Sequence, residues 1–192
     1  MSQLTLYSQF NMRKPYLVSS DFADVAGHLA EDGVRFEHKP VNKELDGLDN
    51  VQTESLFAQE ISAIKQQLGY ACADCVTLRP SDFAVISIRD QFLSEHTHSD
   101  DEVRWFLSGR ALFYIHVNAR IHILQCGPGD FIVIPKGIKH WFDMGPEPEY
   151  RCVRWYNSEA GLETQFTGSY VAESTPRWET VMSQHQLAAE QS

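Results

Sequence analysis

The chain is poor in positive charge. Its 16 lysines and arginines stand against 26 aspartates and glutamates, a formal net charge of -10 at pH 7. That balance argues against nucleic acid and anionic membranes as partners, since both require a basic face to neutralise phosphate. It leaves room for a local basic pocket that receives a small anion. Long apolar runs are also missing, and nothing approaches the roughly 20 residues of a membrane span. The opening MSQLTLYSQF has neither a basic start nor a continuous apolar stretch, so it does not read as a signal peptide. A soluble, cytoplasmic protein is the expectation. Cysteine is scarce, at positions 72, 75, 126 and 152. Cys72 and Cys75 form a C-x-x-C, but Cys126 and Cys152 do not supply the second pair of a structural zinc site. A thioredoxin-like motif would open a helix after a strand, whereas here the apolar run Cys75-Val76-Thr77-Leu78 follows. Reduced cysteines are expected in a reducing compartment.

What is present suits a folded domain. Of 192 residues, 43% are hydrophobic and 22% charged, and neither internal repeats nor low-complexity linkers occur. One domain over about residues 1–180 is expected, with mixed α/β decoration over 1–80, a β-rich part over 75–170 and a flexible tail at 181–192. In the decoration, Thr5–Ser8 reads as a short strand. Ser20 is placed to cap a helix with Phe22, Val25, Ala26 and Leu29 on one face, stopped by Gly33. Val34–Val41 alternates as a strand, and 42–52 is polar and irregular. Thr53 is placed to cap a second helix with Phe57, Ile61, Ile64 and Leu68 on one face, ending at Gly69. Cys75–Leu78 reads as a strand. Residues 81–93 are β-rich by propensity, yet Ile88 and Phe92 share a helical face, and a helix is expected. From residue 96 short β segments alternate with turns: 103–107, 111–117, 120–125, 131–134, 139–143 and 150–156, with a tight turn at Asn118-Ala119. Segments of this length and spacing suggest a small antiparallel barrel or double-sheet roll.

The chemistry concentrates at His96-Thr97-His98-Ser99-Asp100-Asp101-Glu102. Side chains alternate along a strand, so His96 and His98 point the same way, and a short turn can return Glu102 beside them. His140, after a strand and a Pro-Lys-Gly turn, is a plausible fourth donor. His28, His38, His116, His122 and His185 are expected to be structural. Three neutral imidazoles and one carboxylate leave a divalent first-row ion two open positions in octahedral geometry. That suits Fe(II), Ni(II), Co(II) or Mn(II) better than tetrahedral structural zinc. Two open positions invite a bidentate substrate such as an enediol. If Glu102 faces the ion, Arg104 and Phe106 share its face. A guanidinium near a cation is costly unless it meets an anion, which makes Arg104 a candidate for favouring a deprotonated substrate. Arg154 is a second candidate. Phe92, Phe106, Trp141, Phe142 and Trp155 are available for an apolar wall. Asp100 and Asp101 are expected to be solvated.

These residues resemble the cupin motifs. H-x-H-x3-E-x6-G is met by His96, His98, Glu102 and Gly109, and G-x5-P-x-G-x2-H by Gly129, Pro135, Gly137 and His140. Asp90 stands where the first motif usually opens with glycine, and Met144 where the second often closes with asparagine. The wording around them, Phe92-Leu93-Ser94-Glu95-His96-Thr97-His98, Asp101-Glu102-Val103-Arg104, His140-Trp141-Phe142-Asp143-Met144-Gly145 and Gln165-Phe166-Thr167-Gly168, is similar to the acireductone dioxygenase family of methionine salvage.

That resemblance implies a mainly β cupin fold, a double-stranded β-helix or jelly-roll barrel with added N-terminal helices. It implies one Fe(2+) or Ni(2+) per chain, held by His96, His98, Glu102 and His140. The substrate would be the acireductone 1,2-dihydroxy-5-(methylthio)pent-1-en-3-one with O2. The dianion would form with help from Arg104, while Arg154, Phe92 and Phe142 stand as substrate-binding candidates on the residues alone. Glu95 and Asp101 match positions with suggested parts in metal incorporation and in relaying conformational change. The family-level expectation is a monomer. Two other functions compete. A sugar-phosphate isomerase on the same fold would want a basic phosphate cluster, and this region is short of lysine. A non-catalytic cupin often loses a ligand, whereas all four are kept here.

Overall fold

The computed structural model describes residues 2–82 and 85–190, with residues 186–190 as backbone only. Strand β1 (Gln3–Ser8) and edge strand β2 (Leu17–Ser19) precede helix α1 (Phe22–Glu31). The cap of α1 is Asp21, whose carboxylate accepts from the Asp24 N–H at 3.0 Å, and not the neighbouring Ser20. After β3 (Arg35–His38), the expected second helix is two. Helix α2 (Asn50–Leu56) starts at a capping box in which Asp49 and Gln52 satisfy each other's backbone N–H. Helix α3 (Ala58–Leu68) ends at Gly69 in the left-handed conformation. Thr53 therefore lies inside a helix. It is fully buried, and its hydroxyl donates to Asp49 O and accepts from Arg151. The C-x-x-C opens β4 (Cys72–Leu78), and the cysteines are free.

Helix α4 (Val85–Phe92) meets the helical expectation for the stretch before the first histidine, of which residues 83 and 84 lie outside the described residues. Then come β5 (His96–Thr97), β6 (Glu102–Gly109), β7 (Ala111–Val117), β8 (Arg120–Cys126), β9 (Asp130–Ile134), β10 (Lys139–Asp143) and β11 (Tyr150–Tyr156). These match the alternating segments read from the sequence to within one or two residues. The β7–β8 hairpin turns on Asn118 and Ala119, both at positive φ, as a two-residue turn that follows the strand twist requires. A 3₁₀ turn (Glu159–Leu162), β12 (Gln165–Phe166), α5 (Val171–Ser174) and α6 (Trp178–Glu190) complete the order. Where the sequence suggested a tail, residues 181–190 continue α6. Val181 is buried against Tyr7, Leu112 and Tyr114, and the Trp178 N–H donates to buried Asp143. Residues 191 and 192 lie outside the described residues.

The strands form two antiparallel sheets, ordered β12-β5-β10-β7-β8-β1-β2 and β3-β9-β6-β11-β4. They face one another across a shared core: Leu4, Leu6, Phe113 and Ile115 from the first meet Phe36, Phe106, Ile132 and Cys152 from the second. The result is the double-sheet roll rather than a barrel closed by hydrogen bonds. A second cluster, with Trp105, Trp155, Phe57 and Ile64, seals α2 and α3 onto the outer face of the smaller sheet. Stacked Tyr114 and Trp141, ring centroids 5.1 Å apart, lie on the outer face of the larger one. Alternation then forces their neighbours His140 and Phe142 inward. Gly109 sits at φ +71° where β11 begins, and a Cβ there would lie 1.8 Å from the Glu149 carbonyl. This motif glycine is a packing requirement.

Candidate metal centre

The two motifs are brought together by backbone pairing. His140 on β10 is the register partner of His96 on β5, and His96 is in turn the partner of Phe166 on β12. The Pro135-Lys136-Gly137 turn closes onto the loop of the first motif. Gly137, at φ +77°, donates its N–H to His98 O at 3.0 Å, and the Lys136 N–H donates to Asp101 at 2.9 Å. Asp101 also accepts from the Tyr70 hydroxyl at 2.7 Å. Asp100 accepts from the backbone and side chain of Asn157. Both aspartates were expected to be solvated. Each is a partly buried connector that fixes the loop between His98 and Glu102.

The imidazoles of His96, His98 and His140 are buried, and one ligand nitrogen from each lies within 4.8 Å of the others. The Nδ1 atoms lie 2.7 Å from Ser94 O, 3.1 Å from Glu163 O and 2.9 Å from Ile138 O respectively. A carbonyl only accepts, so each Nδ1 carries the proton and each Nε2 lone pair is turned to the common centre. Glu102 Oε2 completes the group, 3.1 Å from His98 Nε2 and 3.8 Å from His140 Nε2. His140 Nε2 is buried without a hydrogen-bond partner. Such an orphan is costly unless something else uses its lone pair. A divalent ion among these four donors does so, and the donor set fits one.

Electrostatics agree. Burial, then the neighbouring His140, lowers His96 to about 4, so its lone pair is free at neutral pH. Burial also acts to lower His98, but its hydrogen bond to Glu102 and that residue's charge outweigh burial and raise it. Glu102 pays a desolvation penalty that would raise it, yet Arg104 and the two histidines hold it well below the usual carboxylate range. Arg104 donates from Nε to Glu102 Oε1 at 2.7 Å and from Nη2 at 2.6 Å, the shared face expected from strand parity.

A cavity of about 320 Å³ opens onto this centre, lined by all four donors with Arg104, Arg154, Phe92 and Phe142. Arg154 is bidentate on Asp74, with Nε to Oδ1 at 2.7 Å and Nη2 on Oδ2. Glu95 does not reach the centre. Buried at 1% exposure, it holds His116 Nδ1 at 2.6 Å and the Thr167 hydroxyl at 2.7 Å, behind His96. Val76, Leu78, Ile88, Tyr150 and Leu162 also line the cavity. The sequence had not assigned them to the cavity, because Val76, Leu78 and Tyr150 on strands, Ile88 on α4 and Leu162 in the 3₁₀ turn read as ordinary core. A more open recess of about 450 Å³, around Thr77, Arg79, Ser108 and Glu149, contains none of the histidines.

Fold and site together define a cupin with a three-histidine, one-carboxylate centre of the metal-binding kind. Residues 19–163 match the sequence profile of the ARD/ARD′ family, and the chain belongs to that family. It is 37% identical to the acireductone dioxygenase of Hahella chejuensis over 182 residues, covering 95% of this chain and 98% of that protein. It is 38% identical to the acireductone dioxygenase of Synechococcus sp. (strain ATCC 27144 / PCC 6301 / SAUG 1402/1) over 178 residues, 92% of this chain and 98% of that protein. Among solved structures, acireductone dioxygenase from Bacillus anthracis with a cadmium ion in its active center superposes with a TM-score of 0.73 at 23% identity. The match covers 86% of this chain and 98% of that one.

Proposed function

We propose that the chain is an acireductone dioxygenase of methionine salvage, acting on 1,2-dihydroxy-5-(methylthio)pent-1-en-3-one and O2. The observation that carries the reading is the convergence of His96, His98, Glu102 and His140 Nε2 and carboxylate atoms beside two guanidiniums and an apolar cavity. His96, His98, Glu102 and His140 would hold one Fe(2+) or Ni(2+). When bound, that ion would supply a Lewis acid that holds the enediol oxygens and stabilises their negative charge. With Fe(2+) the expected products are 2-keto-4-methylthiobutyrate and formate. With Ni(2+) they are 3-methylthiopropionate, formate and carbon monoxide.

The protein's own part is binding and charge control. Arg104 stays protonated under the pull of Glu102 and favours the enediol as a dianion. Arg154, held by Asp74, adds a second positive charge at the same wall. Phe92 and Phe142 receive the methylthio end and keep bulk water from the reacting carbons. All four donors and both arginines come from one chain, so a monomer carries a whole site. No described helix is long and apolar enough to cross a membrane, and a cytoplasmic setting suits the free cysteines.

The test is to strip the protein of metal, reload it anaerobically with Fe(2+) or Ni(2+), and follow acireductone and O2 consumption with product analysis. Inactivity of both forms, with bound metal shown by elemental analysis, overturns the reading.

A further inference from the structure

Besides the metal-site donors, the cavity wall carries a hydroxyl, that of Tyr150, with no hydrogen-bond partner among the described residues. Tyr150 opens β11 and is 8% exposed. Its ring is gripped edge-on by Phe142, centroids 5.7 Å apart, and lies 6.2 Å from Phe106. It borders the same cavity as the three histidines, Glu102, Arg104 and Arg154. Its place follows from register. Tyr150, Cys152 and Arg154 alternate with Arg151, Val153 and Trp155 along β11, opposite Leu78, Val76 and Asp74 of β4. Leu78, Val76 and Arg154 all line the cavity, so Tyr150 shares the inward face. Among the described residues its hydroxyl makes no hydrogen bond. By contrast, buried Tyr7, Tyr114 and Tyr156 and half-buried Tyr70 each donate theirs to a named oxygen.

The hydroxyl opens on the cavity, where water meets it in the free protein and a ligand oxygen can take that water's place. A phenylalanine would fill the same space between Phe106 and Phe142 but offer no donor to the cavity. Burial raises the Tyr150 phenol, and the charged groups that act on it are Arg104, Glu102 and Arg154, with Cys152 beside them. The hydroxyl therefore stays protonated and lies toward the charged end of the cavity. It is a neutral donor without an acceptor, next to two cations that attract an anion.

We propose that Tyr150 is a substrate-contacting residue whose hydroxyl donates a hydrogen bond to an oxygen of the bound enediolate. This rests on the acireductone reading above. The substrate carries three oxygens, and a bidentate ligand leaves one of them in need of a donor from the protein. The contact forms when substrate binds and needs no proton transfer, so it acts on KM more than on kcat.

Tyr150→Phe in the metal-loaded enzyme tests this, measured beside wild type on acireductone and on an analogue whose methylthio group is replaced by alkyl. The expected result is a KM raised about fivefold on both substrates, the size of one neutral hydrogen bond, with a smaller change in kcat. Metal content is unchanged and the melting temperature is equal or higher, which a merely structural tyrosine would not combine with a KM defect. A KM within about twofold of wild type, or a defect confined to the methylthio substrate, overturns the assignment to a substrate oxygen while leaving the activity in place. A wild-type enzyme that does not turn over acireductone in either metal form overturns both.

Discussion

Arg104 and Arg154 are direct cross-strand partners on β6 and β11, and each guanidinium is paired with a carboxylate of its own, Glu102 and Asp74. Like charges facing one another across a sheet ordinarily destabilise it. Here the row runs Asp74, Arg154, Arg104 across three strands, with Glu102 two residues along β6. On the proposed function, an incoming dianion would meet two cations already held apart by their carboxylates, which costs less than ordering them on binding.

That arrangement predicts unequal effects for the two arginines. Arg104→Gln removes the cation held directly on Glu102, and kcat/KM should fall about a hundredfold, while Arg154→Gln, whose guanidinium is held by Asp74 away from the four donors, should cost about tenfold. Elemental analysis should show metal retained in both. Equal losses would mean that the two do not differ in contact with the substrate.

The metal ligands should behave differently. His98→Ala removes a donor whose Nδ1 is anchored to Glu163, and metal content should drop at least about tenfold, with activity falling in step. Undiminished metal in the purified variant would show that the ion lies elsewhere.

Metal binding should also release protons. His98 is raised above 6.5 in the metal-free site, whereas His96 sits near 4 and is already neutral. Below the raised value His98 carries a proton that the ion must displace; above it there is none to displace. Loading in weakly buffered solution should therefore release up to one proton per chain at about pH 6 and fewer at about pH 8. Release that does not fall with pH contradicts the pairing of His98 with Glu102.

Another buried histidine, His122, contributes to the acid sensitivity of the fold. His122 is buried on β8 with Nε2 2.6 Å from Asp32. Burial lowers its pKa below 6.5, more than Asp32 raises it. Between that lowered value and 6.5 the unfolded chain binds more protons than the folded one. This contribution is therefore complete above about pH 6.5 and is lost as pH falls through the window. Melting of the metal-free protein should decline on the acid side, and less steeply in His122→Leu, where Arg120 still pairs with Asp32. Parallel curves for the two proteins would remove His122 as a cause.

Gly109 should prove structural. Its positive φ and the 1.8 Å approach a Cβ would make to Glu149 O predict that Gly109→Ala costs about 2–4 kcal/mol, a drop of roughly 5–15 °C in melting temperature. Metal loading of the folded fraction should be unaffected.

Much of this was readable in the chain, for local reasons. The segments from Glu102 to Tyr156 announce themselves because each strand is short, rich in apolar and aromatic residues, and set off by turns that carry glycine, proline or asparagine. Strand parity also placed Arg104 on the face of Glu102. Helix starts were less legible. Ser20 and Asp21 are chemically equivalent caps side by side, and Thr53 resembles a cap until Arg151 of a distant strand is seen to need its hydroxyl. Helix α6 is polar with scattered alanines, and only packing of Val181 on the larger sheet reveals it. Asp101 and Tyr150 were illegible for the same reason. The partners of one, and the lack of a partner for the other, are set by residues more than thirty positions away.

The three Nδ1 anchors carry one more consequence. Ser94, Ile138 and Glu163 belong to separate stretches, before β5, before β10 and after the 3₁₀ turn. An ion gripping the three Nε2 atoms is thereby a cross-link, spliced through the imidazole rings into three backbones at once. Its loss would be felt first not in the long strands, which have their own ladders, but in the stretch from Asn157 to Thr167, whose share of the ladder is the two-residue edge strand β12. That stretch is held largely by Asp100, Glu95 and His98. In the metal-free protein, protease cleavage and amide exchange should begin there.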